Sequence, residues 1–237
     1  MKKTLLALAV CAALVPSLAM AEAGDIVVRL RATNITADES SKLGKQTAES
    51  YDAATATLLY GANYASTELR TDSNTIPELD LSYYITKNIA AELILALGSK
   101  HDVRTTSNGA ALDSKNLGEV NLLPPTLTLQ WHFNPDQMFD PYVGAGVSYV
   151  RAMDNGLTAQ STALGNQPIR IDRNNWGAAL QAGLDVNLEN RWLVNFDVKK
   201  IFVDTDVKLN VNGGGYRKID SLDIDPWVVS VGFGKKF

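Results

Sequence analysis

The sequence predicts an all-β protein, a closed eight-stranded antiparallel transmembrane β-barrel with both termini in the periplasm. Three observations predict it. Apolar residues recur at every second position through eight segments, which is the period of a strand and not of a helix. The connections between those segments alternate between short and long. Past residue 21, the longest apolar stretch runs only from Ile89 to Leu97 and already contains Glu92. A helical span needs about 20 apolar residues. Backbone groups in hydrocarbon must all be paired internally, so strands can cross only as a sealed barrel.

The first 21 residues form an address. Lys2 and Lys3 make a positive start, Thr4 to Val15 is an apolar run, and Pro16 breaks it. Ala19-Met20-Ala21 fits the small-x-small cleavage pattern of a secretory signal peptide, with cleavage after Ala21. Residues 22–237 are then the exported barrel. Cys11, the single cysteine, leaves with the signal; Val10 before it is not the small residue that lipidation requires.

Eight segments follow in order. Ile26, Val28 and Leu30 share one face and Arg29 and Arg31 the other. Leu79, Leu81, Tyr83 and Ile85 alternate with Asp80, Ser82 and Tyr84; Ile89 to Leu97 alternates around Glu92 and Ile94. Leu123 to Phe133 places Leu127, Leu129 and Trp131 opposite Thr126, Thr128 and Gln130. Val143, Ala145, Val147 and Tyr149 oppose two glycines and Ser148. Trp176 to Val186 opposes Gln181 and Asp185; Trp192 to Val198 opposes Asn195, Asp197 and Lys199; Trp227 to Phe237 opposes Ser230 and Lys236. Short turns fall near Thr86–Asn88, Asn134–Asp140 and Glu189–Arg191, and long polar connections near 36–75, 99–119, 152–174 and 210–222. Outer-membrane barrels have short periplasmic turns and long external loops, which sets the orientation. Trp131, Phe133, Tyr142, Trp192 and Phe237 beside the short turns read as an interfacial girdle.

A soluble lipocalin-like barrel would reverse the faces, with the apolar row inside. Here the faces opposite the apolar rows are rich in Gly, Ala and Ser, which suits a narrow interior better than a solvated surface. The terminal Phe237 matches the C-terminal aromatic that resembles the signal read by the barrel-assembly machinery.

Leu122-Leu123-Pro124-Pro125-Thr126-Leu127 with Gln130-Trp131, then Pro141-Tyr142-Val143-Gly144-Ala145-Gly146, Trp176-Gly177-Ala178-Ala179, Trp192-Leu193-Val194-Asn195 and Asp225-Pro226-Trp227 extend over most of 88–237. In these stretches the chain resembles the OmpW family of Gram-negative outer-membrane proteins. The resemblance implies an eight-stranded barrel whose outer half has a narrow hydrophobic lumen. It implies admission of small hydrophobic molecules, including alkanes, with sideways release, and for some members docking of bacteriocins or phage. The first long connection has no counterpart in the resemblance; its apolar stretch Ala53 to Tyr64 lengthens a strand or forms a small helix.

An eight-stranded barrel is filled by its own side chains, which excludes a wide aqueous pore. The inward set contains Arg29, Arg31, Asp80, Glu92, Gln130, Asp185, Asp197, Lys199 and Lys236, mostly toward the short-turn end. Ionised groups in so narrow a space must pair, so they form a polar plug; a path for ions is the other reading. Above it, Ile94, Leu122, Ile201 and Val203 line an apolar pocket with Lys199 at its floor. A hydrophobic ligand stopped by the plug must leave through the wall. Pro124 and Pro125 cannot donate to the ladder and either open a lateral gap between the third and fourth strands or simply bulge the wall.

The remaining partners are lipid and lipopolysaccharide. Asp204, Asp206, Asp223 and Asp225 could bridge lipopolysaccharide through divalent cations, though a solvated rim is the commoner use of such residues, and no metal site is assigned. A net charge of −4, from 22 basic and 26 acidic residues, offers nothing to nucleic acid. Two histidines and one cysteine exclude a Cys/His zinc site and a disulfide scaffold. His132 and His101 fall at opposite ends of the barrel and no catalytic motif is present, so the chain is read as a non-enzyme without cofactors. The competing function is a surface receptor or adhesion barrel acting through its external loops.

Overall fold

The computed structural model describes residues 22–96, 98–107 and 110–237. The expected signal peptide, 1–21, lies outside the described residues, as does Leu97. In chain order the elements are β1 (Ile26–Thr36), α1 (Leu43–Ser50), α2 (Ala53–Tyr60), β2 (Thr67–Thr71), β3 (Asn74–Tyr84), β4 (Ile89–Ala96), β5 (Ser99–Ser107), β6 (Ala110–Leu123), β7 (Thr126–His132) and β8 (Phe139–Asp154). They continue as β9 (Gly156–Ser161), β10 (Gly165–Ile171), β11 (Asn174–Asn187), β12 (Trp192–Phe202), β13 (Asp204–Asn210), β14 (Tyr216–Asp223) and β15 (Trp227–Lys236).

Eight strands close a ring in the order β1-β3-β4-β7-β8-β11-β12-β15, with every neighbouring pair antiparallel. They are the eight segments that the two-residue period marks. Closure is completed beside the chain ends, where the Phe237 N–H donates to the Ile26 carbonyl at 2.8 Å. The start of β1, the end of β15 and the three short turns thus lie at one mouth, called here the terminal end.

The wall has an apolar outside. Leu93, Leu127 and Val231 are 38%, 53% and 48% exposed, whereas Glu92 and Gln181 are 0% and 5% exposed. A belt of exposed Leu, Val, Trp and Phe around a whole molecule is stable in lipid and not in water. Among the described residues no helix is long and apolar enough to cross a membrane. Lys235 interrupts the outer face, and its ammonium sits over the Trp192 ring at 5.2 Å, so its stem stays on the wall while the charge reaches the interface. Tyr142 departs from the girdle expected at the short turns. Its neighbour Val143 points out, so strand parity turns Tyr142 inward, where it is 1% exposed and donates to Asp197 at 2.7 Å.

The four long connections are folded, although their composition reads as polar loop. They build a crown above the barrel. β2, β5 and β6 continue the barrel sheet through β6–β8 pairing, and β9, β10, β13 and β14 form a separate four-stranded sheet. The apolar stretch within 36–75 forms α2 rather than extending a strand. Asp52 caps it by accepting from the Thr55 N–H at 2.6 Å. Crown strands bury alternate residues such as Val103, Leu157, Ile169, Val207, Leu209 and Ile219 in one core with Leu43 and Leu59 of the helices.

Candidate functional site: a lumen closed by ion pairs and roofed by the crown

The lumen is filled in its terminal half. Arg29 of β1 meets Asp80 of β3 at 3.2 Å and Asp185 of β11 at 2.6 Å. Arg31 meets Glu78 at 3.1 Å, Glu92 at 2.8 Å and also Asp80. Gln181 donates to Glu92 at 2.8 Å and to Asp197 at 2.6 Å, and Lys199 pairs with Asp197. These groups are almost wholly buried, so each charge left unpaired would cost several kcal/mol, on the order of 3 to 5. The contacts link β1, β3, β4, β11 and β12 across the lumen.

Two of the expected plug residues stand apart from it. Gln130 lies below, its Oε1 3.3 Å from His132 Nε2. Lys236 makes no ion pair among the described residues; its ammonium lies over the Tyr84 ring at 5.3 Å. Glu78, Gln181 and Tyr142 join the network as well; the sequence put Gln181 on the inward face without a role in the plug, read Tyr142 as part of the girdle and left Glu78 out. Glu78 has the parity of Asp80, but Pro77 before it made the strand appear to begin at Leu79. At the terminal end His132 Nδ1 lies 2.7 Å from Asp140 Oδ2, a contact made by folding β7 back on β8.

Above the plug is an apolar cavity of about 90 Å³. Ile94, Leu122, Ile201 and Val203 all line it, with Lys199 and Glu78 at its edge. Lys199 thus serves both levels, since its ammonium lies 3.9 Å from Glu78 and also pairs with Asp197. Leu157, Ile171 and Leu222 of the crown line the cavity from the far side, so the crown core is its roof.

The cavity reaches the wall at Pro124, whereas Pro125 is not among its lining residues. The two prolines do not begin a strand, as their place in the fourth apolar segment suggested; they separate β6 from β7. Neither can donate to a ladder. The β4–β7 ladder ends at Ile94–Thr126, and pairing among the described residues resumes at Ser99–Leu122. Gly98, at φ +63°, takes a left-handed conformation that side chains avoid and lets the chain bend out of β4 into β5. On the other flank the wall stays tied, because the Tyr149 N–H donates to the Pro125 carbonyl at 2.9 Å. The interruption is confined to one seam.

Residues 22–237 match the family model described as the OmpW family. The chain belongs to the OmpW family. Outer membrane protein W of Escherichia coli (strain K12) is 36% identical to it over 166 residues, covering 70% of this chain and 74% of that protein. The crystal structure of the outer membrane protein OprG from Pseudomonas aeruginosa superposes with a TM-score of 0.72 at 29% identity, covering 91% of this chain and 97% of that one. A more distant relative, the dibenzothiophene metabolism operon protein PahQ of Pseudomonas aeruginosa, is 24% identical over 187 residues, 79% of this chain and 83% of that protein. This OmpW-family chain is an outer-membrane β-barrel.

Proposed function

We propose that the protein admits small hydrophobic molecules through the crown into the apolar cavity and releases them sideways into the membrane beside Pro124 and Pro125. The observation that carries the reading is an apolar cavity seated directly on a layer of buried ion pairs. A hydrophobic molecule is favoured above that layer and excluded from it, because crossing would desolvate or break the pairs. The open seam between β4 and β7 supplies the sideways route. The name of the relative PahQ, which ties it to dibenzothiophene metabolism, supports an apolar cargo. In this reading the crown faces outward toward lipopolysaccharide, the terminal end faces the periplasm, residues 1–21 direct export, Phe237 addresses the chain to the assembly machinery, and the barrel is a conduit rather than an enzyme.

At about 90 Å³ the cavity is smaller than the roughly 150 Å³ that holds a benzene in an apolar protein interior. Loading therefore requires the crown or the seam to part, and the cargo is small. The test is uptake of a small aromatic or alkane by cells with and without the protein. Faster uptake in cells that have it is expected; equal uptake at equal barrel abundance would leave the receptor reading, in which the crown acts as a docking surface.

A further inference from the structure

The cavity wall carries one polar pair that the plug does not use. Ser99 and His101 sit two residues apart on one face of β5, both line the cavity, and both are buried, at 1% and 6% exposure. Ser99 Oγ lies 2.5 Å from His101 Nε2. On the opposite side of the ring, His101 Nδ1 lies 3.0 Å from the backbone carbonyl of Asp72.

A carbonyl oxygen can only accept, so Nδ1 carries the proton and donates to it. In the neutral ring Nε2 is then a lone pair, and the hydrogen between it and Ser99 belongs to the serine. The hydroxyl donor of Ser99 is consumed, while no donor among the described residues reaches the lone pairs of its oxygen. The pair therefore offers an acceptor, and not a donor, to whatever occupies the cavity. Thr71 and Thr126 on this wall also spend their donors, on Glu39 and Ser148, and Thr205 Oγ1, on the same wall, has no hydrogen-bond partner among the described residues; what sets Ser99 apart is that its hydrogen is held by a histidine anchored in turn on a backbone carbonyl.

We infer that Ser99 and His101 form a polar subsite that selects, among small hydrophobic molecules, those bearing one hydroxyl, the aliphatic alcohols and phenols. The inference rests on the proposed use of the cavity and narrows its cargo. The ligand O–H donates to Ser99 Oγ, Ser99 donates to His101 Nε2, and His101 Nδ1 donates to the Asp72 carbonyl. Each bond in such a chain polarises the next, and the apolar surroundings remove competing water. A hydrocarbon of the same size gains only the apolar contacts.

The experiment compares phenol with toluene, which has a methyl group in place of the hydroxyl. Binding to the full barrel in lipid nanodiscs is followed through the His101 ring resonances, with partition into empty nanodiscs subtracted. Phenol is expected to bind about three- to tenfold more tightly than toluene, the value of one buried hydrogen bond. Ser99→Ala should abolish that preference while toluene affinity stays within about twofold, and Ser99→Thr, which keeps the hydroxyl, should retain it. Equal binding of the two compounds, or a phenol preference that survives in Ser99→Ala, overturns the subsite and leaves the conduit standing. Binding of neither compound to the intact barrel overturns both.

Discussion

Arg29 of β1 reaches Asp185 of β11 at 2.6 Å, although β15 and β12 stand between those strands in the wall. One guanidinium thus reaches across the lumen and ties two strands whose paired residues are 156 positions apart in the chain. Removing it in Arg29→Ala leaves Asp185 buried, with Asn195 as its remaining close donor at 2.7 Å. The expected loss is about 3 to 5 kcal/mol. Replacing both partners with apolar residues, Arg29→Met with Asp185→Leu, should cost less than Arg29→Ala alone. Denaturant unfolding in lipid vesicles, followed by tryptophan fluorescence, measures both. A double variant as weak as the single one would mean that the ion pair itself, and not the charge left behind, stabilises the barrel.

The wall was legible in the sequence because a membrane barrel offers only two environments, and alternation assigns each residue to one of them. That parity placed Arg29, Arg31, Asp80, Glu92, Asp185, Asp197 and Lys199 inside together. It could not say which would touch, since Arg29–Asp185 depends on barrel diameter and stagger. The crown was hidden for a different reason. Its strands are short and cut by Gly, Asn and Asp, and their apolar residues, such as Leu157 and Val207, recur too few times to stand out from a loop. Ser99 and His101 read as loop residues for the same reason, and only β5 gives them a common face.

Close backbone approach makes a second prediction. An added Cβ on Gly232 would lie 2.1 Å from the Leu30 carbonyl oxygen and 2.7 Å from Arg31 Cα, both backbone atoms of the neighbouring strand β1. Neither can rotate away, so Gly232→Ala must push β15 from β1 at the seam that closes the ring. The expected cost is about 1 to 3 kcal/mol. Heat-modifiable mobility on gels should show a larger unfolded fraction than Gly165→Ala. That turn position has open space around it, though its φ of +70° adds a modest strain of its own.

The helical part of the crown should respond to alkali. Burial pushes the Tyr60 hydroxyl up to about 12 from its usual 10.0, against a hydrogen bond from Thr47 that pulls it down. Because the folded value is raised, the neutral ring stabilises α2 fully below pH about 10, and that contribution is lost as pH rises through about 12. The shift is worth at most about 3 kcal/mol, and less where the ring is in reach of water. Helical circular dichroism should fall in that window before the strand signal does. Tyr60→Phe should remove the step; a step that persists in that variant assigns it to another group.

The sideways route rests on the prolines, and valine separates their two roles. Substituting Val at both Pro124 and Pro125 restores one N–H donor at 124 on the β4 side, where the β4–β7 ladder is interrupted, and one at 125 on the β8 side, opposite Tyr149. If the interruption is the exit, zipping it should slow uptake of a hydrophobic solute severalfold while the cavity and the plug remain intact. If the prolines only bend the wall, uptake should stay the same and stability should rise by about 1 kcal/mol or less for each added hydrogen bond. Hydrogen exchange of the new amide at 124 shows whether the seam has closed. A protected amide at 124 with unchanged uptake would remove the wall exit, and the route would then have to pass through the plug, where Lys199 and Glu78 stand first in its way.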